Sequence, residues 1–518
     1  MPENKQLNRR AFLSIAGVTG VTLALAACTP GAVSSSKLSG TSLAVMPSTA
    51  PSNWKPVLAK VNAALKKDHG FELDAQFINW GSYLQQALLK FTSGAKFDTA
   101  LEALWANMAQ LQQSGSLVDL TKEIGKWPNL SKQLAPELIE ANKWSGHIWG
   151  VPQVNSAGRV QHFAIRQDLA EKYGFSDIQD FDTLEKYFYD VKQKSSGVTP
   201  FGLSSNLTWE LAVPTPTALF NQHSWENPTT IQYTFAGSGL QFLFDKNASK
   251  TGSSKPIPFW EDEGVVAALR TIRKYYNDGI VNADGLNTDN ANIGAQFQAG
   301  KYASIWAITD GSTSNALPGL LKSVPNANMA NVLPFGGDLT SVKPHQTFQA
   351  DNMVVVNANG GDVDRALALQ DWLSIKKNHD LVEYGIEGTD WEPVGENSYK
   401  QLSDYNFPGY SLLWRSSLER RSQYMTASET KVFDWALKYD NFRADTFGSF
   451  IPNVTSVKQA AASMNNVITQ YANPLFYGVV DVDSGLDQLK KAADGAGLSV
   501  LQAAMEKQGD AFLKARKA

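Results

Sequence analysis

Carboxylates crowded beside tryptophan are the residues of this chain best placed to do chemistry. The stretch VEYGIEGTDWE, residues 382–392, sets Glu383, Glu387, Asp390 and Glu392 around Trp391, with Gly385 and Gly388 between them. Three roles suit such a run: a packed turn, a pair of catalytic carboxylates, or a surface that reads a ligand. Enzyme motifs are otherwise missing. The six histidines, His69, His147, His162, His223, His345 and His379, form no HExxH pair or other zinc spacing, and no CxxC exists. Neither a G-x-S-x-G elbow nor a phosphate-cradling G-x-x-x-x-G-K-S/T loop occurs. DVDSGLD, residues 481–487, falls short of a calcium loop, since its glycine comes one place early and Ala492 stands where the bidentate Glu belongs. No metal and no cofactor is expected. A glycoside hydrolase would leave no motif, because two carboxylates far apart in sequence can meet in space; Glu387 with Glu261 or Asp98 is the pair such an enzyme would use.

Other aromatic residues gain meaning from the elements that must carry them. TSLAVM is strand-like, and WKPVLAKVNAALKKDHG places Val57, Leu58, Val61 and Leu65 on one helical face before stopping at Gly70. FELDAQFINW alternates as a strand, YLQQALLKFTSG is helical, and FDTALEAL is a strand opening into WANMAQLQQSG. Strand and helix in succession predict an α/β fold with a mainly parallel sheet, in which ligands sit at the carboxyl ends of the strands. Trp80 and Trp105 both follow predicted strands and so stand on that rim. Further on, FDTLEKYFYDVKQKS, EGVVAALRTIRKYYNDG and NIGAQFQAGK have helical spacing, while YASIWAI and TFQADNMVVVN read as strands. DVDRALALQDWLSIKK is a helix that leads into the acidic stretch. A chain of 518 residues with 43% hydrophobic content is too long for one core and calls for at least two lobes, with one cysteine and so no disulfide to hold them.

The chain begins MPENKQLNRRAFLSIAGVTGVTLALAACTPG: a basic start, an apolar run from Ala11 to Ala27, and small residues before Cys28. That order predicts an export signal peptide over residues 1–27, too short and too rich in Gly, Ser and Thr for a comfortable membrane span. LAAC resembles a lipobox, which implies acylation of Cys28 and a lipid-anchored flexible tether over residues 28–37. NRRAFL resembles a twin-arginine signal, although Asn8 and Ser14 depart from its usual residues. From a net charge of −4, removal of Lys5, Arg9, Arg10 and Glu3 leaves about −6, so no basic field remains to draw nucleic acid or anionic lipid. The globular part is expected at the extracytoplasmic face, anchored to the cell membrane but not embedded.

Several segments together resemble a family. IWGVPQVNSAGRVQHFAIRQDLAEKYG, TLEKYFYDVKQKSSGVTPFGLSS, FQAGKYASIWA, YGIEGTDWE and the tail from NPLFYGVVDVDSGLDQLKKAADGAG to LQAAMEKQGDAFLKAR are similar to the extracellular solute-binding lipoproteins of carbohydrate ABC importers. Within that family (family 1 type), the resemblance is to the long oligosaccharide-binding subgroup. It implies a two-lobed periplasmic-binding-protein-like α/β fold with a hinge and an interlobe cleft, working as a monomer with a membrane permease and doing no chemistry on the sugar. The implied lobe 1 is residues 38–160 and 346–395; lobe 2 is 161–345 and 396–518. Crossings would fall near NSAGRV, near HQTFQAD and soon after the acidic stretch.

A pyranose presents C–H groups on its faces and hydroxyls at its edge, so a sugar site needs flat aromatic platforms beside carboxylates and amides. Covering roughly 100 Å² of an indole face is worth at most about 2.5 kcal/mol. An acceptor left unpaired costs about 1–3 kcal/mol, so stacking supplies grip and hydrogen bonding supplies choice. The candidate binding residues are Trp80, Trp105, Trp209, Trp306 and Trp391 as platforms, with Asn107, Asn155, Asn352, Glu387 and Asp390 as polar partners. Ordinary packing competes at each position: Trp80 could staple its helix, Trp306 could be core, and Trp391 could plug a gap between lobes. An oligopeptide-binding lipoprotein and a secreted glycoside hydrolase are the alternative functions.

Overall fold

The computed structural model describes residues 38–517 apart from 206, 208, 215–217, 223, 225–231, 335–338 and 340–342. The expected signal peptide, Cys28 and the tether lie outside the described residues. The strands of the two main sheets are, in chain order, β1 (Thr41–Pro47), β2 (Glu72–Ile78), β3 (Thr99–Glu102), β4 (Val151–Gln153), β5 (Gln161–Arg166), β6 (Ser304–Ile308), β7 (Met329–Val332) and β8 (Asn352–Val356).

The first lobe is built on a sheet ordered β2-β1-β3-β8-β4. Its first three strands are parallel, connected by helices α1 (Trp54–Asp68) and α2 (Trp80–Thr92). β8 runs antiparallel to both β3 and β4, so the sheet is mixed where a mainly parallel one was expected. β3 is buried along its whole length, its polar ends Thr99 and Glu102 included. α1 buries Trp54, Val57, Val61 and Leu65 on the face its spacing predicts. It stops where expected: Gly70 adopts φ +91°, and its N–H returns to the Leu65 carbonyl at 3.1 Å.

The second lobe holds a smaller antiparallel sheet, β6-β5-β7, with every residue of β5 buried. Helices α3 (Phe181–Lys194) and α4 (Glu263–Asp278) cover it, their first turns capped by Asp180 and Asp262. Residues of the C-terminal helices, among them Met464, Leu489, Leu501 and Met505, complete the same hydrophobic interior.

Membership of the two interiors shows where the chain passes from one to the other. Val151 belongs to the first interior and Val160 to the second; Phe348 belongs to the second and Ala350 to the first. Residues after 396 stay at first with the interior of the first sheet. The long predicted helix divides at Ser374 into α5 (Val363–Leu373) and α6 (Lys376–Glu383), and the acidic stretch then turns into a small sheet of β9 (Trp391–Val394), β10 (Ser398–Gln401) and β11 (Arg421–Ser422). Tyr405, Phe407, Leu412 and Leu413 pack with α1 in the first lobe, and only α7 (Ala427–Ala436) rejoins the second. This segment therefore belongs to lobe 1 because its aromatic and leucine side chains fill that core.

Candidate functional site

Of the tryptophans among the described residues, Trp80 and Trp105 are the two strongly exposed, at 41% and 53%. Both stand at the carboxyl edge of the first sheet. Trp80 opens α2 directly after β2, where Asn79 caps the helix by accepting from the Gly81 N–H. Trp105 follows β3 by three residues, and because β8 runs antiparallel, the start of β8 lies beside it: the Trp105 Nε1–H donates to the Asp351 carbonyl at 2.8 Å. The two indoles lie 6.1 Å apart. Tyr410 backs Trp80, stacked at 6.0 Å and 17°, and its hydroxyl accepts from Trp80 Nε1 at 2.9 Å. Trp414 meets Tyr410 edge-on at 5.8 Å. Four aromatic rings thus form a ledge whose orientation is set by hydrogen bonds, with two indole faces left to solvent.

Beneath the ledge, Glu102 ends β3 fully buried. Desolvation pushes its carboxyl up to about 7, although the Asn107 backbone N–H and side-chain amide both donate to it. Asn107 also donates to the Leu84 carbonyl at 2.9 Å. Its amide is therefore committed to holding the turn that carries Trp105.

The crossings close the next side. Asn352 pairs with Gln153 in the sheet, and Asn155 donates across to the Asp310 carbonyl at 3.0 Å. Arg159, half-exposed, forms an ion pair with Asp351, joining the first crossing to the second. Gly158 packs against the Phe442 ring so closely that a Cβ would stand 1.9 Å from it.

The second lobe contributes Trp306 on β6, half-buried, with its Nε1–H donating to Gln161 at 3.2 Å. Trp209 is half-buried against the second interior. Its neighbour Glu210 keeps Oε2 buried without a hydrogen-bond partner, and desolvation raises its carboxyl to about 7 against the opposing pull of Arg159. Asp310 is raised by desolvation as well, with Ser312 and Arg159 pulling the other way.

The acidic stretch takes a different place from the one expected. Asp390 is 1% exposed and its carboxylate is full: Asn53 Nδ2 reaches both oxygens at 2.9 and 3.1 Å, Ser403 Oγ donates at 2.9 Å and the Ile386 N–H at 2.8 Å. Trp391 is buried, with its Nε1–H on the Gly385 carbonyl and the Arg420 guanidinium 4.8 Å from its ring centre. Neither offers a ligand an open face in this structure, where both pack into the turn. Glu387 sits exposed on that turn. The hydrolase pairs dissolve too, since Asp98 is buried in a two-pronged ion pair with Arg365 and Glu261 lies on an exposed turn of the second lobe. DVDSGLD is a helix start in which Asp481 accepts from the Ser484 N–H. Among the described residues no group of three or more His, Cys, Asp or Glu is placed to hold a metal ion, and no helix is long and apolar enough to cross a membrane.

The sequence did not point to Tyr410, Trp414, Arg159, Asp351, Glu210 or Asp310. The aromatic pair four residues apart in GYSLLW was the available signal; the charged residues carry none.

A family model described as "Bacterial extracellular solute-binding protein" matches residues 60–379, and one for a domain of unknown function matches residues 446–514. A carbohydrate ABC transporter substrate-binding protein of Streptococcus pneumoniae serotype 4 is 26% identical over 483 residues, 90% of each chain. Lipoprotein LipO of Bacillus subtilis is 22% identical over 456 residues, 84% of this chain and 85% of its own. Among solved structures, the N-glycan transport solute-binding protein NgtS of Streptococcus pneumoniae superposes with a TM-score of 0.74 at 22% identity, covering 92% of this chain and 99% of that one. The same protein in complex with Man1GlcNAc gives 0.69 at 23% identity, covering 92% and 100%. With a two-lobed α/β scaffold, crossings beside an exposed aromatic ledge, and a family match over well over half its length, the chain belongs to the bacterial extracellular solute-binding proteins.

Proposed function

We propose that this protein is the substrate-binding component of a carbohydrate ABC importer, taking an oligosaccharide between its lobes and presenting it to the permease. The observation that carries this reading is the ledge of Trp80 and Trp105 at the carboxyl edge of the first sheet. Two indoles 6.1 Å apart and open to solvent are costly to a free surface and suited to the C–H faces of pyranose rings. Relatives named for carbohydrate and N-glycan transport support the ligand class.

Closure would follow from contacts that both lobes make only when a sugar lies between them. In this reading the sugar leaves unaltered, Cys28 carries the lipid that tethers a monomer to the outer face of the membrane, and no cofactor takes part. The B. subtilis relative named as a lipoprotein supports the anchor. The test is to titrate the purified protein with a glycan panel while following tryptophan fluorescence and the release of new reducing ends. A saturable shift without new ends is the expected result. Cleavage, or no response to any glycan, would contradict it.

A further inference from the structure

Acidic groups gather around Arg159, which the Asp351 carboxylate holds beside Trp105 of the ledge. Glu210 and Asp310 come from the second lobe and Asp351 from the second crossing, and against them stands Arg159. Arg159 is a cation whose field reaches Glu210, and its guanidinium is already engaged by Asp351. Glu210 Oε2 is buried and unpartnered, a position in which a carboxylate keeps its full demand for a hydrogen-bond donor. Six positions before Glu210, the Ser204 carbonyl accepts from the buried Tyr477 hydroxyl at 2.5 Å.

An oxygen held in this way serves a ligand that brings hydroxyl or amide N–H donors and no negative charge. A second carboxylate brought beside it would meet like charge in a site that closes away from water, where screening by salt is weak. Resting on the carbohydrate reading above, we propose that Glu210 is a specificity-determining residue that restricts the cleft to glycans without carboxylate groups and turns uronate-containing ones away. Its acceptor oxygen takes a sugar hydroxyl or N-acetyl N–H, and the same oxygen repels an acidic ring.

The test is calorimetric titration of the wild-type chain and Glu210→Gln at pH 8, where Glu210 is ionised, with mannopentaose, Man5GlcNAc and a five-residue oligomannuronate. The expected result is binding of at least one neutral glycan by the wild type, with the uronate at least tenfold weaker and the gap narrowed threefold or more in Glu210→Gln. Uronate binding equal to or tighter than the neutral glycans would overturn the inference and leave the carbohydrate reading standing. A gap unchanged in Glu210→Gln would remove Glu210 from the role. Binding of none of the three by the wild type would overturn both readings together.

Discussion

Trp105 and Asp351 are joined by a hydrogen bond from the indole Nε1–H to the backbone carbonyl, 2.8 Å long, while the Asp351 carboxylate holds Arg159 of the other crossing. One residue therefore ties the most exposed aromatic face of the cleft to the first two of the segments by which the chain passes between lobes. A change in the crossings is felt at the platform because the backbone at Asp351 belongs to both.

Tyr410→Phe is expected to weaken glycan binding without unfolding the protein. The hydroxyl accepts from Trp80 Nε1 at the exposed rim, and its loss frees the indole to rotate. A net hydrogen bond of about 0.5–1.5 kcal/mol corresponds to a loss of affinity of about two- to thirteenfold, with the unfolding midpoint shifted little. Titration beside thermal unfolding checks it.

Asp390→Ala should do the reverse. Its carboxylate collects the Asn53 amide, the Ser403 hydroxyl and the Ile386 N–H in a buried turn, so removal strands several donors. A loss of about 2–4 kcal/mol in urea unfolding is expected, with glycan affinity unchanged for the folded fraction. A large affinity loss at full stability would return the acidic stretch to the binding site.

Gly158→Ala places a methyl 1.9 Å from the Phe442 ring at the first crossing. Overpacking there is expected to cost about 1–3 kcal/mol, measured by denaturant unfolding. Gly146, whose added Cβ would meet nothing, serves as a control for volume, although its φ of +82° adds backbone strain of its own.

Stability should decline from pH 6.5 to 9. His379 lies buried between Asp380 and Glu419, whose charges hold its proton to about 9 despite desolvation. A raised histidine contributes stability that is complete below the unfolded value near 6.5 and is lost as pH rises through about 9. Glu102, raised to about 7 by burial, acts in the same direction between about 4.5 and 7, because the folded state keeps a proton the unfolded chain releases. His162, lowered to about 4 by desolvation, opposes this on the acid side, since below 6.5 the unfolded chain takes up a proton that the folded one refuses. Urea midpoints measured across pH 6.5–9 should fall in the wild type and flatten in His379→Gln; a midpoint that rises over that interval would contradict the assignment.

The outline of the first lobe was legible because its signals are local. The apolar stripe of α1 and its stop at Gly70 lie within one window of sequence, as does the placement of Trp80 and Trp105 just past strands. The acidic stretch was misjudged because its partner is remote: Asp390 is filled by Asn53, 337 positions away, and no local pattern announces that a carboxylate will be satisfied from there. The same limit hid Tyr410, whose place on the rim depends on Tyr405, Phe407 and Leu412 packing into a lobe that the chain had been expected to leave. Charged residues at the crossings were invisible for a related reason, since a lone arginine acquires a role only when two distant segments meet around it.

The central claim, that sugar lies on the Trp80–Trp105 ledge between the lobes, is tested most directly by calorimetric titration of a bound glycan into the Trp80→Ala/Trp105→Ala double variant, with Trp391→Phe as the comparison. Two platforms each worth about 1–2 kcal/mol predict a loss of affinity of at least thirtyfold in the double variant, with the Trp391 change leaving affinity within twofold. Wild-type affinity in a folded double variant would contradict the account.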